Sequence, residues 1–393
     1  MSENFNTIAQ KLIPHYSQFR VSERLLFTGH SHQAWPDVAA EGQAECFDIA
    51  ARDVDEKWGL AFDKADVLRE YLRNWYDDAD GMYCLAENTH LLLVSWLSSL
   101  DLKNKPKVIT TTGEFHSMYR QLRRFSEEGL EVVMLDPKPE VTFMDRLANE
   151  LDDQTAAIML SRVFFETSLI NPHLQAVAQL ARDNGIPMLI DDYHGTNVVP
   201  LSLRDEDLLD CYLVTGGYKY LQWGEGNCFL RFPRDCQLRP AVTGWYASFD
   251  TLADPRGTQL TQYDKGDQRF ATATYDPTSQ FRAARVAEFF ITQGLTKDVL
   301  RQQYLDQLNY FREQMFSADM DADKIQPVHE QPLSHNGGFL SYRVSATPQV
   351  HDNLKQRGVL TDFRGDILRF GLAPYITSEQ INEAINHLKG SLV

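Results

Sequence analysis

Residues Pro187 to Leu230 read PMLIDDYHGTNVVPLSLRDEDLLDCYLVTGGYKYLQWGEGNCFL, and two strands are visible in them, each followed by polar residues. Ligands of parallel α/β sheets bind at the carboxyl ends of strands. Asp191 at the end of one strand and Lys219 just past the other therefore project into one crevice. Lys219 is flanked by Tyr218 and Tyr220 and bracketed by Gly216, Gly217, Gly224 and Gly226. A tight backbone there partly desolvates the ammonium, which lowers an amine's pKa and makes it a usable nucleophile. Most lysines are solvated surface residues, so other stretches have to carry the reading further.

On either side of this segment, from about residue 84 to 232, short apolar runs alternate with helical patterns, the signature of βαβ units and a mainly parallel sheet. The further strands are Lys107 to Thr112, Glu131 to Leu135, Ala156 to Leu160 and Asn227 to Phe232. Leu174, Val177, Leu180 and Ala181 repeat at helical spacing in His173 to Asn184, and Asn184-Gly185 ends that helix. The pattern predicts an N-terminal helical segment (1–60) packed on a large domain (61–280), with Trp35-Pro36-Asp37 starting a helix. Helices Ser279 to Gln293, Leu300 to Met315 and Ser378 to Leu388, with strands Gly337 to Val344 and Leu368 to Gly371, then make a small α+β C-terminal domain (281–393).

The chain has 393 residues with 38 Lys and Arg against 55 Asp and Glu, a net charge of −17 that repels phosphate backbones and argues against nucleic acid. The apolar stretch Leu91 to Leu100 is broken by serines and falls short of the roughly 20 residues a membrane span needs. The start of the chain lacks the pattern of a secretory signal. Five cysteines without a CxxC pair suit a reducing compartment, so a cytoplasmic location is expected.

Several motifs agree in order. Asp191-x-x-His194 follows a strand and precedes Tyr218-Lys219-Tyr220-Leu221. Asn88 to Leu92, Glu114-Phe115-His116-Ser117, Gly244-Trp245-Tyr246, Asp362-Phe363-Arg364, Leu368 to Gly371 and Pro374-Tyr375 accompany them. Together they closely resemble the pyridoxal-phosphate (PLP) enzymes of aminotransferase class V, fold type I, and among these the kynureninases, from about Gly29 to Tyr375. The resemblance implies a seven-stranded, mainly parallel sheet flanked by helices, a small C-terminal domain, and a homodimer with its sites at the interface.

It also implies roles. Lys219 would supply the Schiff-base amine, and Asp191 the carboxylate on the pyridine nitrogen. Asp192 could take that part or cap the following turn, and the spacing to His194 selects Asp191. His194 would lie beside the ring, Phe115 would stack on it, and Trp245 would belong to the cofactor surroundings. The phosphate would sit at the helix beginning near Asn88, held by backbone N–H groups of Ala86 and Glu87 and by the Tyr218 hydroxyl. Thr274 would reach the partner's phosphate. Arg369 would clamp the substrate carboxylate with two parallel donors. His30, Ser31 and His32 would lie at the substrate mouth, where kynureninase-like sequences carry Gly-Asn-Ser-Leu-Gly.

The expected activity is hydrolytic Cβ–Cγ cleavage of a kynurenine-type amino acid. The alternative is a class V transaminase or another PLP lyase, since Ala247 and Ser248 replace a His that commonly follows Gly-Trp. A metal-dependent hydrolase using His30, His32, Asp191, Asp192 and His194 is a more remote alternative, and no metal is expected.

Overall fold

The computed structural model describes residues 5–253 and 260–392. Its centre is a seven-stranded sheet: β1 (Met82–Ala86), β2 (Lys107–Thr111), β3 (Glu131–Leu135), β4 (Thr155–Ser161), β5 (Met188–Asp191), β6 (Tyr212–Gly216) and β7 (Cys228–Phe232). In space the order is β1-β7-β6-β5-β4-β2-β3. From β6 to β3 all neighbours run parallel, whereas β7 runs against both β6 and β1. Every residue of β4, TAAIMLS, is buried, as befits a strand covered on both faces by helices.

The expected strands are present with ends shifted by a residue or so, and Gly185 closes the helix Leu174–Asp183 with φ +62°. β1 adds an edge strand that the pattern misses. Its sequence, MYCLA, has no β-branched residue, so the local signal is weak. The helix expected at Trp35-Pro36-Asp37 begins at Val38. The Asp37 carboxylate turns back to accept the amides of Ser17 and Gln18 at 2.9 and 3.0 Å instead of capping it.

Near the C-terminus four strands form an antiparallel sheet: β8 (Ile325–Pro327), β9 (Phe339–Val344), β10 (Asp362–Arg364) and β11 (Ile367–Gly371), in the order β10-β11-β9-β8. The N-terminal segment divides between the two sheets. Leu25 and Leu26 pair with Val359 and Leu360, and Gly29 N–H bonds Gly371 O at 3.1 Å. The helix Val38–Asp53 instead packs on the helix Thr278–Thr292. Gly42 lets these two approach, since a Cβ there would fall 2.5 Å from Phe281 O. One hydrophobic cluster runs through both sheets, so the cleft between them has rigid walls. Among the described residues no helix is long and apolar enough to cross a membrane.

Candidate active site

The carboxyl ends of β2, β4, β5 and β6 meet at one edge of the large sheet, and the reversed β7 brings its first residue, Cys228, to the same edge. A cavity of about 320 Å³ opens there, lined by Phe115, Asp191, Tyr193, His194, Tyr218, Lys219 and Cys228, with Glu87 to His90 and Glu225 at its rim. Asp191 is the last residue of β5, and its carboxylate accepts the Tyr193 N–H at 3.0 Å. Lys219 lies in the turn after β6 and is 4% exposed. Its Nζ donates to His194 Nε2 at 2.8 Å and stands 5.1 Å from the Phe115 ring centre.

Burial lowers the Lys219 amine to about 7, the charge of Asp191 opposing the shift. Burial likewise holds His194 well below its ordinary range, helped by the charges of Lys219 and Arg369, so its ring is a neutral acceptor. Asp191 is pushed up by burial against the Tyr193 amide and Lys219. Asp192 is not equivalent to its neighbour: its carboxylate is fully buried and held by Arg162 at 3.1 Å and by the Tyr76 hydroxyl at 2.9 Å.

Arg369 comes from β11. The antiparallel register sets it opposite Asp362 of β10, and the guanidinium grips that carboxylate with Nε at 2.8 Å and Nη2 at 2.6 Å. Nη1 donates to Phe165 O at 2.5 Å. His30 is 1% exposed and its Nε2 meets Asp362 Oδ1 at 2.8 Å, with its ring stacked on Phe339. Burial lowers His30 to about 4. Burial also works to raise Asp362, but the bonds from His30 and Arg369 outweigh it and hold the carboxyl well below the usual range.

The structure therefore gathers Lys219, Asp191, His194, Phe115, Tyr218 and Glu87 around one cavity and sets others elsewhere. Ala86 ends β1, paired with Cys228. The helix runs Thr89–Leu97 with Asn88 as its cap, so its leading amides belong to Thr89 and His90 and not to Ala86 and Glu87. His30 is turned to Asp362 instead of lining a mouth. Ser31 Oγ contacts His32 Nδ1 at 3.2 Å, and the exposed His32 stacks on Tyr218 at 4.7 Å. Trp245 is 43% exposed beside Tyr246, and Thr274 is exposed; neither lines this cavity.

Among the described residues no three His, Cys, Asp or Glu side chains are arranged to hold a metal ion. One buried group is part of a motif quoted from the sequence but has no role assigned there. The Glu114 carboxyl lies between the Thr111 and Ser161 hydroxyls at 2.5 Å each, and burial pushes it up to about 7 against those bonds. No sequence spacing ties Glu114 to Ser161; the pairing arises only when β2 and β4 lie side by side.

Comparison with known proteins agrees with this architecture. Residues 300–388 match the kynureninase C-terminal domain family. Cysteine desulfurase IscS of Aeromonas salmonicida (strain A449) is 20% identical over 299 residues, 72% of this chain and 70% of that protein. A C-DES mutant with glycine covalently linked to its PLP cofactor superposes with a TM-score of 0.80 at 16% identity, covering 96% of this chain and 98% of that one. The cysteine desulfurase CsdA from Escherichia coli gives 0.79 at 13% identity, covering 98% and 99%. The fold is thus fold type I, α/β with a mostly parallel central sheet. The matched C-terminal domain, the curated relative and the shared fold are each similar to enzymes of the class V aminotransferase-like family, and together they support that likeness.

Proposed function

We propose that this chain is a PLP-dependent enzyme acting on a small amino acid, and that its reaction is kynureninase-type hydrolysis of a Cβ–Cγ bond. The observation that carries the cofactor is a buried amine, lowered to about 7, set between aromatic faces one strand away from a half-buried carboxyl. The residues present fit the group. Lys219 would be its covalent anchor, Asp191 would face its ring nitrogen, and Phe115 would cover its ring. The Thr89 and His90 amides and the Tyr218 hydroxyl would receive its phosphate. When bound, PLP supplies an electron-accepting ring that stabilises negative charge at the Cα of an amino acid.

The chain's own groups do the rest. Once free, the Lys219 amine takes and returns protons at Nζ, its lowered pKa matched to neutral pH. Neutral His194 accepts a hydrogen bond from that amine and orients it. Arg369 would offer the substrate carboxylate the N–H groups that Asp362 and Phe165 leave unused. Hydrolysis requires a water to attack the γ-carbonyl, releasing alanine and an aryl acid. The match of residues 300–388 to the kynureninase C-terminal domain, which includes Arg369 and Asp362, supports this reading.

The second reading is cleavage of a Cβ–S bond, suggested by the resemblance to the cystine C-S lyase C-DES. The five cysteines are all buried, and one of them, Cys228, lines the cavity beside Lys219. A homodimer, in which Thr274 serves the partner's site, and a cytoplasmic location belong to the same proposal.

The test is incubation of PLP-loaded protein with kynurenine, 3-hydroxykynurenine, cystine, and amino acids paired with pyruvate. Alanine with anthranilate or its hydroxylated form supports hydrolysis. Pyruvate released from cystine supports the lyase, and a new keto acid from an added amino acid supports transamination. A protein that stays colourless at saturating PLP overturns the cofactor assignment.

A further inference from the structure

Tyr193 has no part in the functions assigned so far, yet its ring centre is 4.6 Å from Lys219 Nζ, nearer than that of Phe115 at 5.1 Å. The two rings are not neighbours of each other. Phe115 packs on His116, Phe165 and His194, whereas Tyr193 packs on Tyr218 with centroids 5.0 Å apart. The amine therefore stands between two separate aromatic faces. Tyr193 is 8% exposed and fixed at both ends: its amide donates to Asp191, and its hydroxyl meets the Cys228 thiol at 3.8 Å.

Its ring has room only because residue 216 lacks a side chain, for a Cβ on Gly216 would fall 2.3 to 2.4 Å from the Tyr193 ring and hydroxyl. Gly216 has no positive φ in the structure, so close approach and not backbone conformation calls for glycine there. Large residue and absent side chain form a matched pair at the ends of adjacent strands.

We infer that Tyr193 is the second aromatic wall of the cofactor slot, holding the side of the ring away from Phe115. This rests on the PLP reading. A flat ring attached to Lys219 then has an aromatic neighbour on each side, and stacking adds to the affinity given by the phosphate and by Asp191. Tyr193 acts by position and by its face, so its hydroxyl is dispensable.

The experiment is titration of apo full-length protein with PLP, followed by visible absorbance and by quenching of intrinsic fluorescence, for wild type, Tyr193→Phe, Tyr193→Leu and Tyr193→Met. Tyr193→Phe should bind as wild type. The Leu or Met variant, whichever keeps the wild-type melting temperature, should bind about three- to tenfold more weakly and show a displaced absorbance maximum.

Gly216→Ala should weaken binding in the wild-type background and lose that effect when Tyr193 is Leu or Met, as coupled neighbours do. Equal affinity and an unmoved band in the aliphatic variants would overturn the role of Tyr193 while leaving the cofactor intact. Wild type that takes up no PLP overturns the underlying reading instead.

Discussion

The small sheet and the Lys219 cavity of the large sheet treat buried charge in opposite ways. In the small sheet, Asp362 is held by Arg369 and by His30 Nε2, and the guanidinium has a carboxylate on its fork and a carbonyl on its third nitrogen. At the edge of the large sheet, neither Lys219, Asp191 nor Glu114 makes an ion pair within 4 Å among the described residues, although Lys219 and Glu114 are buried and Asp191 is half-buried. In the paired set Arg369 and Asp362 keep their charges, neutral His30 joins them, and together they fix shape. The unpaired set is left with pKa values moved toward neutrality, which is where proton transfer is easiest to drive.

The contrast is sharpest at the amine. Replacing Lys219 by Ala should cut turnover by on the order of a thousandfold or more, and the visible band given by PLP should vanish. A variant that keeps the band would mean that the amine is an ordinary buried group.

On the paired side the expected loss is in stability. Asp362→Ala strands the Arg369 guanidinium, and the urea midpoint should fall by the equivalent of about 3 kcal/mol. A loss near zero would show that water replaces the carboxylate and that the small sheet is no tighter than the large one.

Acidity separates the regions further. Glu114 is raised from its ordinary 4.5 to about 7, so between those values the folded chain keeps a proton that the unfolded chain has released. Its contribution to stability therefore falls as pH rises through that window. Asp362 works the other way: its depressed carboxyl stabilises the fold above the ordinary carboxylate range, and this is lost as pH falls below it. Glu114→Gln should remove a decline of about 3 kcal/mol between pH 4.5 and 7 in denaturant titrations. An unchanged slope would show that Glu114 ionises freely.

The smallest effect is expected from Tyr218→Phe, which deletes one hydroxyl from the phosphate end and should weaken PLP binding about fivefold in the same absorbance titration. No change would move that end of the cofactor away from Tyr218.

How far the sequence alone discloses all this depends on the range of the interaction. β2, β4 and β5 are legible because isoleucine, leucine and valine crowd into short runs, and Lys219, Asp191 and His194 are legible because each lies close to a strand end. β1 escapes because MYCLA carries no distinctive signal. Tyr193 and Gly216 are matched across neighbouring strands, and Glu114 owes its burial to hydroxyls on two strands, so nothing local marks them. Arg369 is recognisable in its LRFG context. That its fork is filled by Asp362 follows from a register, which no periodicity announces. The same cause explains His30, whose proximity to His32 in the chain invites a shared role although their side chains go to different partners.

The reversed direction of β7 has one more consequence. Because β6 and β7 are hydrogen-bonded neighbours running in opposite senses, the stretch carrying Lys219 is a short return loop and not a crossover through a helix. Closing such a loop takes little chain entropy, and Gly217 is bonded across it to Asn227 and Trp223. The reactive amine is thus tethered on both sides to the same pair of strands, so insertions or deletions elsewhere in the chain leave its anchorage local and self-contained.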